Sequence, residues 1–299
     1  LAKIGGLLLL VVFALKGALL PLHLWLPNTY ATAMPVVAAL FAIMTKVGVY
    51  SMMRVYTLIF GDEAGELSHM AQSWLWWLAL ATIVMGAIGV LASKDMRKLV
   101  ANLVIVSVGT LVALVAVQTE EASAAAIFYL VHSTLVTAAL FLLADMIGIQ
   151  RGKVADRITI GRPVTQPILL GGAFAIAAIT VIGMPPLSGF IGKVWLLRAT
   201  FESEYGAIFW GLYLLASLAL LVGISKAGST VFWHHQNKGQ DNAEPVKAHK
   251  YQISALLIVL LGSPLMVIFA GNMSEYAIEA AKQLHDFSAN ISVVLREAK

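Results

Sequence analysis

The chain contains no cysteine. That absence removes disulfides, thiolate metal sites and thiol nucleophiles together, and it leaves the redox compartment unreadable. Charge is nearly as scarce. Only 12% of the 299 residues are Asp, Glu, Lys or Arg, where a soluble domain carries about 25%. Hydrophobic residues make up 60%, and the mean hydropathy is +0.85. Together these values weigh against a water-soluble fold. Acidic groups are missing from the interior of every apolar run, Asp145 lying near the end of its own. An initiating methionine is also missing, and no charged leader precedes Leu1. The chain therefore reads as a portion of a longer polytopic protein.

What is present is a series of long apolar runs. A spanning helix needs about 20 mostly apolar residues. Candidates are 4–20, 36–58, 74–92, 99–117, 122–147, 164–197, 208–232 and 253–270, which makes eight. Strand alternation is nowhere sustained, and the runs exceed the roughly 10 residues of a barrel strand. The expected fold is all-α, a polytopic transmembrane bundle. The loops alternate in charge. Segments 93–98, 149–162 and 226–250 hold three, four and four Lys or Arg, whereas 61–66, 118–122 and 198–206 are poor in positive charge. The positive-inside rule then places the basic loops and 27–35 in the cytoplasm and both chain ends outside. After the last span, apolar residues recur at 273, 277, 280, 284, 287, 291 and 294. This spacing predicts a one-faced helix, lying in the interface or bound to a partner.

Three lysines and one histidine sit inside apolar runs: Lys16, Lys46, Lys193 and His132. Lysines near helix ends commonly snorkel to the headgroups, and a lone buried histidine is commonly a structural residue. Lys16 stands about 9 or 10 residues from either end of its apolar surroundings, too far for easy snorkelling. Lys46 is similarly central. Burial makes a lysine easier to discharge, and histidine titrates near neutral pH, so such a row suits proton transfer.

Two helices should be interrupted. The run 164–197 is too long for one upright helix at 1.5 Å per residue. Gly183, Pro185, Pro186 and Gly189 fall in its middle, and proline removes backbone donors and clashes with the preceding turn. An unbroken helix would bring Lys193 near the surface, whereas a break within 183–189 restarts the second half at depth. A second break is expected around Gly17–Pro21, beside Lys16. Broken helices within a membrane line cavities or lie buried in protein, and in transporters they mark the ion path.

Several of these segments resemble one family. "FALKGALLPLHLWLPNTYATAMPVVAALFAIMTKVGVYSMMR" and "GMPPLSGFIGKVWLL" are similar to the antiporter-like subunits shared by respiratory complex I and the Mrp-type multisubunit Na+/H+ antiporters. "LVHSTLVTAALFLLADMI", "SKDMRKLVANL" and "KAGSTVFW" most resemble the D-type subunit of the Mrp complexes. The resemblance covers residues 4–271 and implies the seventh to fourteenth of fourteen spanning helices. It implies that Lys16 is the lysine of the broken seventh helix, Lys46 the bridging lysine of the eighth, His132 the histidine of the eleventh, and Lys193 the terminal lysine of the broken twelfth. Complex I relatives often carry a lysine after that histidine. None occurs in 133–138, so Ser133, Thr134, Thr137 or water would carry the stretch.

The resemblance further implies the end of a first inverted repeat and a bridging helix in 1–72, and a second five-helix repeat in 73–235. A loop and last span follow in 236–271, then the amphipathic helix in 272–299. The acidic partner of Lys16 would lie upstream.

The function expected is a proton-translocating portion of a monovalent cation/proton antiporter subunit. Its partners would be the other subunits, the lipid bilayer, protons and monovalent cations, with no nucleic acid, cofactor or metal. The alternatives are a proton-pumping subunit of complex I or a membrane-bound hydrogenase, and a scaffold without conduction of its own. An enzyme would need clustered acids, a metal set or an activated nucleophile. His23, His234 and His235 have no acidic partners at ligand spacing.

Overall fold

The computed structural model describes residues 1–234 and 247–286. Lys238 of the third basic loop, His235, and the apolar positions Phe287, Ile291 and Val294 lie outside the described residues. The elements are α1 (Ala2–Gly17), α2 (Trp25–Thr32), α3 (Pro35–Leu58), α4 (Gln72–Ala92), α5 (Met96–Val117) and α6 (Glu120–Arg151). Then follow α7 (Pro167–Ile182), α8 (Ser188–Ala199), α9 (Gly206–Phe232), α10 (Lys250–Ile268) and α11 (Ala270–His285). Short 3-10 turns cover Asp62–Leu67 and Gly152–Val154. Among the described residues the only β pairing is one isolated bridge, Asp95 to Arg157.

Six of these helices are long and apolar enough to cross a membrane, and Pro167–Ile182 is a shorter apolar helix. The two remaining predicted spans are the interrupted ones, α1–α2 and α7–α8. The chain is thus an integral, multi-pass membrane protein.

Local sequence explains the helix boundaries. Proline occupies the first turn of α3 and of α7, where its missing N–H would have no helical partner anyway. Thr119 caps α6, its side chain accepting from the Ala122 N–H. Glu120 and Glu121 follow in the first turn, where the helix dipole favours negative charge. Helix α5 is buried from Leu99 to Ala116 on nearly every side. A helix apolar all round belongs at the centre of a bundle, and α4, α6, α3, α2 and α9 pack about it. On α1, α3, α9 and α10, large apolar side chains such as Val12, Leu40, Leu215 and Ile258 face outward.

The charged loops gather at two ends. At one, Arg97 pairs with Asp145 at 2.7 Å, and its backbone N–H donates to Asp156. Ile158 N–H donates to the Lys94 carbonyl, so segments 93–98 and 149–162 are bound together. Arg151, 1% exposed, donates to the carbonyls of Arg157 and Thr159 and shapes this loop from within. At the other end His69 bonds both Asp62 and Gln118, and Arg198 pairs with Glu121 at 3.1 Å. Helix α11 ends there too, His285 Nε2 lying 3.0 Å from Ser123 Oγ. The expected one-faced helix is thus present in its described part. Helix α11 buries Ala277, Ala281 and Leu284 against α6 and α3 of its own chain.

Candidate functional site

The two predicted breaks have the same chemistry at their starts. Helix α7 ends at Ile182, and Gly183 turns left-handed at φ 81°. The N–H groups of Gly183 and Met184 fold back onto the carbonyls of Thr180 and Ile179, a Schellman ending that suits glycine. Helix α1 ends at Gly17, and the left-handed residue is Ala18 at φ 57°. There Ala18 and Leu19 donate to Leu15 and Ala14 in the same pattern. After each turn a backbone N–H reaches a hydroxyl of another helix. Leu20 donates to Thr82 Oγ1 of α4 at 3.0 Å, and Ser188 donates to Ser263 Oγ of α10 at 3.3 Å.

The second break holds Lys193. The last carbonyls of a helix have no intrahelical donor and carry the negative end of its dipole. Lys193 Nζ donates to one of them, Ile182, at 2.6 Å, and to Ser217 Oγ of α9 at 3.0 Å. Its ammonium also lies 5.4 Å from the centre of the Tyr213 ring, within cation–π range. The turn is shaped around this side chain. A Cβ on Gly183 would stand 2.5 Å from Lys193 Cδ, and one on Gly189 would stand 1.9 Å from the Thr180 carbonyl oxygen. Glycine is therefore required at 189, where the obstacle is backbone, and is favoured at 183 by the left-handed turn.

Next to it on α6 lies His132, 2% exposed, with Nδ1 2.9 Å from Ser188 Oγ. A cavity of about 10 Å³ is lined by His132, Ser133, Thr137, Lys193, Tyr213 and Ser217. This is the room of about one water. Ser133 and Thr137 thus line the space between histidine and lysine. Thr134 does not; its hydroxyl donates to the Leu130 carbonyl. Lys46, 0% exposed, lies on α3, which packs against α6. Lys46 Nζ has no hydrogen-bond partner among the described residues.

Lys16 stands apart. It is exposed on α1, its stem close to Gly48 of α3. The structure thus places His132 and Lys193 at one cavity and Lys46 buried on the adjacent α3, and it leaves Lys16 on an open face. His23 is 9% exposed, His234 approaches the Ser229 carbonyl, and no three metal-binding side chains converge among the described residues. Sequence reasoning missed Ser217, Tyr213, Ser188 and Ser263. Each is a common residue in an apolar helix, and only the packing of α8 against α9 and α10 gives them partners.

A family described as NADH:quinone oxidoreductase/Mrp antiporter, TM, matches residues 1–219. The D-type subunit of a probable K(+)/H(+) antiporter of Rhizobium meliloti is 36% identical over 262 residues, 78% of this chain and 48% of that protein. The D-type subunit of the Na(+)/H(+) antiporter of Bacillus subtilis is 35% identical over 302 residues, 99% of this chain and 59% of that protein. The chain thus spans about half the length of the curated relatives it matches. Among solved structures, a chain of the Mrp complex from Dietzia sp. superposes with a TM-score of 0.83 at 24% identity, covering 98% of this chain and 61% of that one. A chain of respiratory complex I from Thermus thermophilus does so at 0.75 and 25% identity, covering 94% and 58%. With matched residues running through the lysine-bearing helices and both breaks, the chain belongs to the NADH:quinone oxidoreductase/Mrp antiporter transmembrane family.

Proposed function

We propose that this chain carries protons through the membrane interior as part of an antiporter subunit of the Mrp D type. The observation that carries the reading is the seat of Lys193. An ammonium rests on a carbonyl freed by a helix break, beside a one-water cavity that it shares with His132. Such a group gains or loses a proton without dismantling a covalent site. Lys46 to His132 to Lys193 is the order of transfer, with Ser133, Thr137 and water between the last two. Lys16 continues the row toward the part of the family fold that would precede Leu1, where an acidic group would face its open surface. The chain works as part of a secondary ion transporter and not as an enzyme. Its partners are the other subunits of the complex, the bilayer, protons and a monovalent cation, as the names of the D-type relatives suggest.

The location that fits is a bacterial inner membrane. The basic end faces the cytoplasm, and the end holding Asp62, Glu121 and α11 faces outside. Segment 73–235 is read as one inverted repeat, and the matching Schellman breaks and hydroxyl anchors support that reading.

The test uses the full-length protein in its assembled complex, in everted vesicles. Lys46→Ala, His132→Ala and Lys193→Ala should each lower cation-driven proton exchange by about 100-fold, the scale of removing a positioned proton-transfer group. Wild-type exchange in well-assembled Lys193→Ala complexes would sink the proposal.

A further inference from the structure

The hydrogen bond on His132 does not stop at Ser188. Ser188 Oγ lies 2.7 Å from Ser263 Oγ on α10, and the Ser188 N–H donates to that same oxygen at 3.3 Å. All three groups are buried, His132 at 2%, Ser188 at 0% and Ser263 at 5% exposure. A hydroxyl has one proton to give, so the chain of bonds has only two complete arrangements. In the first, Ser263 donates to Ser188 and Ser188 donates to His132 Nδ1. The ring then accepts at Nδ1 and carries its proton on Nε2. In the second, Nδ1 carries a proton and donates to Ser188, Ser188 donates to Ser263, and the proton of Ser263 must find another acceptor.

Helix α10 supplies that acceptor. Pro264 lies within it and has no N–H. The carbonyl of Leu260, four residues earlier, therefore lacks its helical donor. Serine in a helix readily donates to a carbonyl three or four residues back, and Leu260 is three back from Ser263. In the structure Ser263 bonds Ser188, which completes the first arrangement, and the second is completed when the Ser263 hydroxyl turns to the Leu260 carbonyl, so that no hydroxyl proton is stranded in a dry interior.

We propose that Ser188 and Ser263 are positioning residues that hold neutral His132 as its Nε2–H tautomer and reverse together when Nδ1 takes up a proton, with the Leu260 carbonyl receiving the Ser263 hydroxyl. The pair thereby sets which nitrogen of His132 accepts and which releases. The inference rests on the proton-carrying role proposed above for His132.

Two measurements on the full-length assembled complex test it. Histidine nitrogen resonances, assigned to His132 by difference from His132→Gln, should show neutral His132 unprotonated at Nδ1. Ser188→Ala should give a mixture of both tautomers. Ser263→Ala should keep the tautomer, because Ser188 still donates to Nδ1, yet slow proton exchange roughly tenfold, because reversal strands a buried hydroxyl. Ser263→Thr keeps the hydroxyl and should restore most of the rate. A neutral ring protonated at Nδ1, or wild-type exchange in Ser263→Ala, would overturn the inference. So would Ser263→Thr being as slow as Ser263→Ala, since packing and not the hydroxyl would then be what α10 supplies. Exchange that survives in His132→Gln would instead refute the role of His132 itself.

Discussion

Adding one methyl group at Gly189 should stop transport while leaving the chain inserted. A Cβ there would stand 1.9 Å from the Thr180 carbonyl oxygen, about 1.5 Å short of ordinary contact. The obstacle is backbone, so no rotamer change relieves it, and α8 must move away from α7. Overpacking of this kind costs about 1–3 kcal/mol, which a bundle of this size tolerates. The functional effect should be larger. Moving α8 by about that distance takes Lys193 Nζ from 2.6 Å to beyond hydrogen-bonding range of the Ile182 carbonyl. The same shift disturbs His132, whose Cε1 would lie 3.1 Å from the new methyl. Misplacing a reacting group by about 1 Å is worth about 100-fold in rate. Gly172→Ala on the neighbouring α7 is the control, because no atom lies within 4 Å of its added Cβ. It should be neutral or stabilising by about 0.5–1 kcal/mol. The assay is cation-driven proton exchange in everted vesicles, beside the melting temperature of the purified complex. Gly189→Ala complexes that exchange at the wild-type rate would refute the close-approach argument.

Three further outcomes are expected. Burial lowers the pKa of His285 below 6.5, against the opposing pull of Glu120 and Asp62, so docked α11 favours the neutral ring. Docking should therefore be complete above about pH 6.5 and weaken as pH falls below it, seen as faster amide exchange across 270–285, and His285→Gln should flatten that dependence. Lys16→Ala and Lys16→Arg should both abolish exchange with normal assembly, because a guanidinium stays charged and cannot cycle, and wild-type rates in Lys16→Ala would show that Lys16 carries no proton. On this cysteine-free background, single cysteines at Lys153 and Glu202 should be labelled from the cytoplasm and from outside respectively, and the reverse pattern would invert the topology.

The spans and breaks were legible because the physics behind them is local. A mostly apolar run of 34 residues with two adjacent prolines between glycines cannot form one helix, and it does not. The αL turn at Ala18 was less visible. Gly17 and Pro21 advertise a break, but alanine carries no sign that it will take φ 57°. Tertiary hydrogen bonds such as that from Leu20 to Thr82 hold that turn, and they span 62 residues of sequence. The candidate site divides in the same way. Charged residues inside apolar runs stand out, so Lys46, His132 and Lys193 are readable as candidates. Their neutral partners are not, because a serine or tyrosine in a membrane helix is ordinary until another helix is laid against it. Asp145 shows the converse, since its place near the basic end was readable while its partner Arg97, on the preceding helix, was not.

The position of Lys193 shows why the break is needed at all. An unbroken helix satisfies its own carbonyls, so it offers a buried ammonium nothing but dispersion contacts. Lys46 is in that condition, enclosed within a continuous α3 and without a hydrogen-bond partner among the described residues. Lys193 has the Ile182 carbonyl and Ser217, because α7 ends where its side chain passes. The two lysines therefore differ in their partners, Lys46 buried without one and half-buried Lys193 with two. On the order of transfer proposed above, the lysine that starts the row lacks a hydrogen-bond partner among the described residues, and the lysine that ends it has two. That difference in partners comes from the break, and the spacing of the charges alone does not show it.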